Sequence, residues 1–511
     1  MSMKRKVFGF MACAAAAWCF TANAAYDGVD RNKPERGGTW KVVYSSAEGP
    51  EGRALEVLTE RIGRHFLRDS HRATALMLPL EKDGGTTVLG KRDKIVIGVP
   101  AKNATLRNLL GAGKAPPKGG YLIKTFSGKD GNTVLIAGDT PSAVLWGVFD
   151  FLDTGVPTLE ARVSGQHNRY AGTFFRAPKI PAWEYATAPE TPVRSVWSWG
   201  FVIDDYRSAF RAMARARVNR AILWNNRFVV NARDVVECAH SWGIEIYWGF
   251  SWGWTFSDKG DKNLDFKKLA DCIIDQWHEM WKPMGGDGIY FQSFTETSRA
   301  KVGGRSIPEA VTELVNLTAK RIHDESPSTK IVFGLHSTSI KRPGGTEAIA
   351  KTDPSLEILW EDCGGFPFSD ANGKVSRPDT AFCRKVLDLT PNVGFCWKAQ
   401  LRIDWGDFVS SAGPFMLGCA GRNLLDRDVE NAAYRHLSLD EDWVVNGKTA
   451  WEHVRALRSG DGAKPVEFSA VAEYNPPYSF ATLCQTELFW STKEPWEEVS
   501  RRVRMRMRPE W

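Results

Sequence analysis

From residue 193 to residue 419 the chain repeats one pattern, in which a short apolar run is followed by a stretch of helical period and then by another short apolar run. The runs fall at 194–199, 220–224, 244–250, 288–294, 330–335, 356–360, 393–397 and 415–419. Helical patterns at 206–217, 231–242, 265–281, 307–324 and 379–387 separate most of them. Runs that are apolar at both alternating sets of positions suit strands buried on both faces. Eight such strands, each returning through a helix, close into a (β/α)8 TIM barrel. An open doubly wound sheet shares the alternation, but it carries a Gly-rich phosphate turn after its first strand, and none follows 194–199. The expected fold class is therefore α/β with a closed parallel barrel.

A chain of 511 residues is longer than one barrel needs. Residues 25–176 carry their own strand and helix signals and read as a small α/β sandwich domain, with strands at 40–44, 94–98, 120–124 and 132–138 and helices at 53–66 and 141–152. Residues 177–192 read as a linker, 193–428 as the barrel, and 429–511 as a helical C-terminal segment. The last of these ends in Arg501, Arg502, Arg504, Arg506 and Arg508, the composition of a solvated amphipathic helix.

At the other end, Lys4, Arg5 and Lys6 precede an apolar run from 7 to 20 that closes on Ala22-Asn23-Ala24. Residues 1–24 thus read as a Sec-type signal peptide, and the expected localisation is periplasmic or extracellular. Cys19 sits in a poor lipoprotein acceptor context, so no membrane anchor is expected. Losing those three cations lowers the formal charge from +7 to +4, too small and scattered for a nucleic-acid partner. Without Cys13 and Cys19 the nine cysteines become seven, an odd and irregularly spaced set that is no disulfide framework.

In a barrel the reacting groups stand at the C-terminal strand ends and the loops that follow. Those positions are polar here. They hold Asn225, Asn226 and Arg227 after the second run, Trp252 and Trp254 after the third, Gln292 and Glu296 after the fourth, and His336 after the fifth. Glu361 and Asp362 follow the sixth, and Lys398, Arg402 and Asp404 the seventh. Glycoside hydrolysis needs one protonated carboxyl for the leaving oxygen and, as a rule, a second carboxylate across the ring. Glu296 suits the acid, and Glu361 or Asp362 the base or nucleophile. The remaining rim residues are the expected substrate-binding set. Lys398 and Arg402 suit a substrate carboxylate such as that of a uronic acid, or alternatively a barrel ion pair. Indoles at the rim suit the apolar face of a pyranose, although Trp equally fills cores. The histidines are dispersed, with no i, i+4 pair on a helix and no Cys-x-x-Cys, so neither metal nor other cofactor is expected. No Gly-x-Ser-x-Gly elbow occurs.

The segment Gly120-Tyr-Leu-Ile through Val134-Leu-Ile-Ala-Gly-Asp-Thr-Pro-Ser-Ala-Val-Leu-Trp-Gly-Val-Phe-Asp-Phe-Leu152 resembles the α/β domain that precedes the barrel in family 67 α-glucuronidases and family 20 β-N-acetylhexosaminidases. The resemblance implies a catalytic barrel directly after it. In family 20 an Asp-Glu pair ends the fourth strand, the Asp orienting the substrate acetamide. Here the pair reads Thr295-Glu296, which keeps the acid and drops the orienting carboxylate.

These readings converge on a glycoside hydrolase acting on O-glycosidic bonds of a poly- or oligosaccharide, with uronic-acid or amino-sugar glycans in view. The alternative from another class is a non-catalytic carbohydrate-binding protein on a glycosidase-like barrel, motivated by Thr295. A metal-dependent hydrolase on the same barrel is a third.

Overall fold

The computed structural model describes residues 40–63, 78–84, 92–164, 173–198, 203, 205–224, 229–252, 265–293, 299–302, 304–336, 340–362, 379–397, 426–471 and 480–507. Its N-terminal part is a six-stranded sheet of β1 (Lys41–Tyr44), β2 (Leu80–Lys82), β3 (Lys94–Gly98), β4 (Tyr121–Gly128), β5 (Gly131–Gly138) and β6 (Trp183–Thr187), in the order β2-β1-β3-β5-β4-β6. The first four neighbours run parallel, and β4 lies antiparallel to both β5 and β6. Helices Gly49–Arg61 and Pro141–Asp150 cover one face of it. Thr140 caps the second helix through its side chain, with Pro141 in the first turn where a missing N–H costs nothing. Residues expected to form only a linker thus supply β6, the sixth strand.

The barrel is built from β7 (Val193–Trp197), β8 (Arg220–Trp224), β9 (Glu245–Trp252), β10 (Gly288–Ser293), β13 (Lys330–His336), β14 (Glu357–Asp362), β15 (Val393–Trp397) and β16 (Glu467–Val471), all parallel and fully closed. A small antiparallel hairpin, β11 (Lys301–Val302) with β12 (Arg305–Ser306), lies between β10 and β13 and leads into helix Ile307–Glu325. That helix opens with a reciprocal capping box between Ser306 and Glu309.

The closing strand corrects one expectation. The place between β15 and β7 belongs to β16, out of the region expected to be wholly helical. Residues 415–419, read as the eighth strand, lie outside the described residues. The long helix Asp426–Arg458 carries the chain from there to β16.

Strand parity sorts the barrel side chains into two environments. One set, including Trp197, Ile222, Tyr247, Tyr290, Val332, Leu359 and Cys396, packs as a separate cluster filling the lumen. The other set, including Trp248, Phe250, Phe291, Phe333, Trp360 and Trp397, joins the large core between the strands and the surrounding helices.

The C-terminal helix Trp496–Arg506 corrects a second expectation. It is amphipathic, with Arg501 and Arg504 exposed, but two of its arginines, Arg502 and Arg506, are buried between the N-terminal sheet domain and the barrel. Arg506 pairs with Asp150 at 2.8 Å and Glu487 at 3.1 Å, while Arg215 and Arg61 grip the two oxygens of Asp153 at 2.7 and 2.8 Å. Burial opposes ionisation of these carboxylates, but the arginines outweigh it: Asp150 is held down at about 2, and Asp153 and Glu487 also lie below their ordinary values. Three parts of the chain are locked at one desolvated junction.

Candidate active site

The lumen has two chemically different ends. At the N-terminal end, Arg220 donates to Glu357 at 2.9 Å and to Glu467, and Ser195 also donates to Glu467. The Arg220 guanidinium lies 4.1 Å over the Tyr247 ring. Burial pushes the Glu467 carboxyl well up from the usual range; Arg220 opposes this and Glu357 adds to it. Charges at this end of a barrel stabilise the fold, because substrates bind at the opposite mouth.

Above that layer Trp197 and Trp224 meet edge to face with ring centres 6.1 Å apart, and Tyr290 wedges against both at 4.9 and 6.0 Å. This aromatic floor carries the polar group that matters. Tyr290 and Gln292, two apart on β10, share the lumen-facing parity, as do Gly334 and His336 on β13 and Glu361 on β14. Glu361 is paired in register with His336 on one side and Cys396 on the other.

The Tyr290 hydroxyl donates to Glu361 Oε1 at 2.5 Å, and Gln292 Nε2 donates to the same oxygen. Glu361, Tyr290 and Gln292 are all fully or almost fully buried, and His336 is 5% exposed. Burial, and next the neighbouring Glu361, push the Tyr290 phenol well above its ordinary value, so it stays a neutral donor at any physiological pH.

The bond from β10 to β14 has to cross β13, and it does so over Gly334. A Cβ at that position would meet the Tyr290 hydroxyl and stand 2.9 Å from Glu361 Oε1. Here glycine makes room for a side-chain contact between strands that are not neighbours.

Of the residues expected in the site, Gln292, His336 and Glu361 are brought together at the C-terminal mouth. Asp362 ends β14, and its side chain lies outside the described residues, as do Glu296, Asn225, Asn226, Arg227, Trp254, Lys398, Arg402 and Asp404. Trp252 is a correction. The strand runs two residues further than the sequence pattern implies, and Trp252 shares the parity of Trp248 and Phe250, facing away from the lumen. It is wholly buried and stacked on Phe291 at 3.5 Å, a core residue rather than a sugar platform. Tyr290 and Gly334 went unforeseen. A phenol inside a strand otherwise destined for burial is itself a signal, since its hydroxyl must find a partner. Among the described residues, no cluster of His, Cys, Asp and Glu is arranged to hold a metal ion, and no helix is long and apolar enough to cross a membrane.

No protein-family model matches the chain, and no curated protein does either. Solved structures do. A family 138 glycoside hydrolase targeting pectin rhamnogalacturonan II is similar at 10% identity and a TM-score of 0.48, over 90% of this chain and 51% of that one. A family 20 β-N-acetylglucosaminidase is similar at 10% identity and 0.46, over 93% and 91%. A family 89 glycoside hydrolase from Clostridium perfringens is similar at 11% identity and 0.46, over 89% and 51%. The chain spans about half the length of the first and third of these. The solved structures it is similar to include glycoside hydrolases of several families.

Proposed function

We propose that the protein is an exported glycoside hydrolase, periplasmic or extracellular, that cleaves an O-glycosidic bond of a poly- or oligosaccharide at the C-terminal mouth of its barrel. The observation that carries this reading is Glu361. A carboxyl group is placed at a strand end inside the lumen, in register with His336 and hydrogen-bonded by Tyr290 and Gln292. Such placement costs desolvation, and barrels accept that cost at the catalytic mouth. Glu361 serves as the base or nucleophile. Glu296, three residues beyond the end of β10, serves as the acid. β10 and β14 stand two places apart around the barrel, with only β13 between them, so groups from the two can flank one glycosidic bond.

The test is a screen of the mature protein on chromogenic glycosides and on uronic-acid and amino-sugar glycans. With an active substrate in hand, Glu296→Gln and Glu361→Gln each lower kcat at least about 10²-fold. Full activity in either variant removes that residue from the mechanism. Glycan binding measured by calorimetry, with no release of reducing sugar from any glycan bound, replaces this reading with that of a binding protein.

A further inference from the structure

The two donors on Glu361 define its role more closely than its position does, an inference that rests on the glycosidase reading for its link to catalysis. We propose that Tyr290 and Gln292 are positioning residues that orient Glu361 and favour its charged form against the cost of its burial, and that Gly334 is the opening through which Tyr290 reaches it. Both donors end on one oxygen, Oε1. Two hydrogen bonds donated to one carboxyl oxygen favour the charged form over the neutral one. Neither donor brings a charge that varies near neutrality: Gln292 is an amide, and the Tyr290 phenol titrates far above that range. A carboxylate oriented and favoured in this way is suited to abstract a proton from water or to attack carbon.

The arrangement is held from several sides. The Tyr290 ring is fixed by Trp197 and Trp224. Gln292 Nε2 also lies 3.4 Å from the Tyr290 hydroxyl, so the two donors sit together. Among the described residues, the titratable groups that act on the phenol include Glu361 on β14, Cys396 on β15 and, lower in the lumen, Glu467 on β16. His336 on β13 stands beside Glu361 in register, and Tyr247 on β9 shares the aromatic cluster.

The experiment is a carbon-13 NMR titration of the full chain labelled at the glutamate carboxyls, with the Glu361 signal assigned by its loss in Glu361→Gln. Tyr290→Phe keeps the ring and removes one donor. The Glu361 midpoint rises by about one pH unit in that variant. Gln292→Met removes the other donor and gives a rise of similar size, so the question stays answerable if either variant fails to fold. An unchanged midpoint in a folded variant overturns the proposal, whatever the enzyme's substrate. On an active substrate, Tyr290→Phe lowers kcat about 10-fold with KM within about 2-fold, and the acid limb of the pH–rate profile moves up with the midpoint. Full activity in Glu361→Gln refutes the catalytic reading of the site separately and leaves the titration result standing.

Discussion

Arg506 sits in the last described turn of the chain, yet its guanidinium is 1% exposed and holds together segments hundreds of residues apart. Replacing it with Met keeps the volume and deletes the charge. Glu487 keeps Arg217 and, at 3.7 Å, Arg502, so its loss is partial. Asp150 keeps as direct donors only the Tyr121 hydroxyl at 2.7 Å and the Thr154 hydroxyl at 2.9 Å, with Arg217 and Arg502 acting on it from further off. A fully buried carboxylate is thereby left without a directly paired cation, which costs about 3–5 kcal/mol. With an unfolding entropy of roughly 2 cal/mol/K per residue, a unit of about 470 residues melts about 1 °C lower per kcal/mol, and one of about 150 residues about 3 °C lower. Arg506→Met therefore lowers Tm by about 3–5 °C if sheet domain and barrel melt together, and by about 10–15 °C in the first transition if the sheet domain melts alone. Differential scanning calorimetry separates the two. Adding Asp150→Asn removes the stranded charge, so the double variant recovers about 1–3 kcal/mol relative to the sum of the single losses. A Tm loss under about 1 °C, or strict additivity of the two substitutions, would refute the view that this junction is an electrostatic lock.

Glu467 gives a pH prediction. Its folded pKa lies well above its ordinary value, so it contributes stability that is complete below about 4.5 and is lost as pH rises through the folded value. Glu467→Gln mimics the neutral form, and thermal melts across pH 5–9 should show a flatter profile than wild type; a parallel profile contradicts the assignment. Asp150 has the opposite sign: its stabilisation holds above its unfolded value and disappears as pH falls toward about 2, so acid unfolding shifts to higher pH in Arg506→Met. Gly334→Ala places a methyl against the Tyr290 hydroxyl and Glu361, which costs about 1–3 kcal/mol in urea unfolding; a neutral result means that the crossing contact is not made. Trp252→Ala removes a stacked core residue, costing about 3–5 kcal/mol while leaving glycan affinity unaltered, and weaker binding in a folded variant would restore it to the site.

The barrel was legible because seven of its strands carry apolar residues on both parities, one set facing the lumen and the other the helices. β16 escaped the same reading for a physical reason. Glu467 and Ser469, which share the lumen-facing parity, are polar, and Glu467 is required by Arg220 and Ser195 at the N-terminal end. Phe468, Ala470 and Val471 are left to look like a strand, too few to stand out. The C-terminal arginines misled in the converse way. Charge in a sequence implies solvent until its partners are known, and the partners of Arg506 lie at Asp150 and Glu487. Trp252 shows a third limit, since rim and core differ there by parity and by the two residues through which β9 continues.

The two ends of the lumen settle carboxylates by different means, and the contrast bears on which of them does chemistry. Glu467 is tied to a cation, Arg220, that also holds Glu357, and this cluster lies beneath a plug of Trp197, Tyr247 and Tyr290. Glu467 is thereby committed to the fold, at the end of the lumen opposite the substrate mouth. Glu361, above the plug, accepts hydrogen bonds from the neutral Tyr290 and Gln292, which orient it and favour its charged form. A carboxylate held in a fixed orientation is what a base or nucleophile requires. The aromatic layer between the two ends keeps Arg220 from serving both.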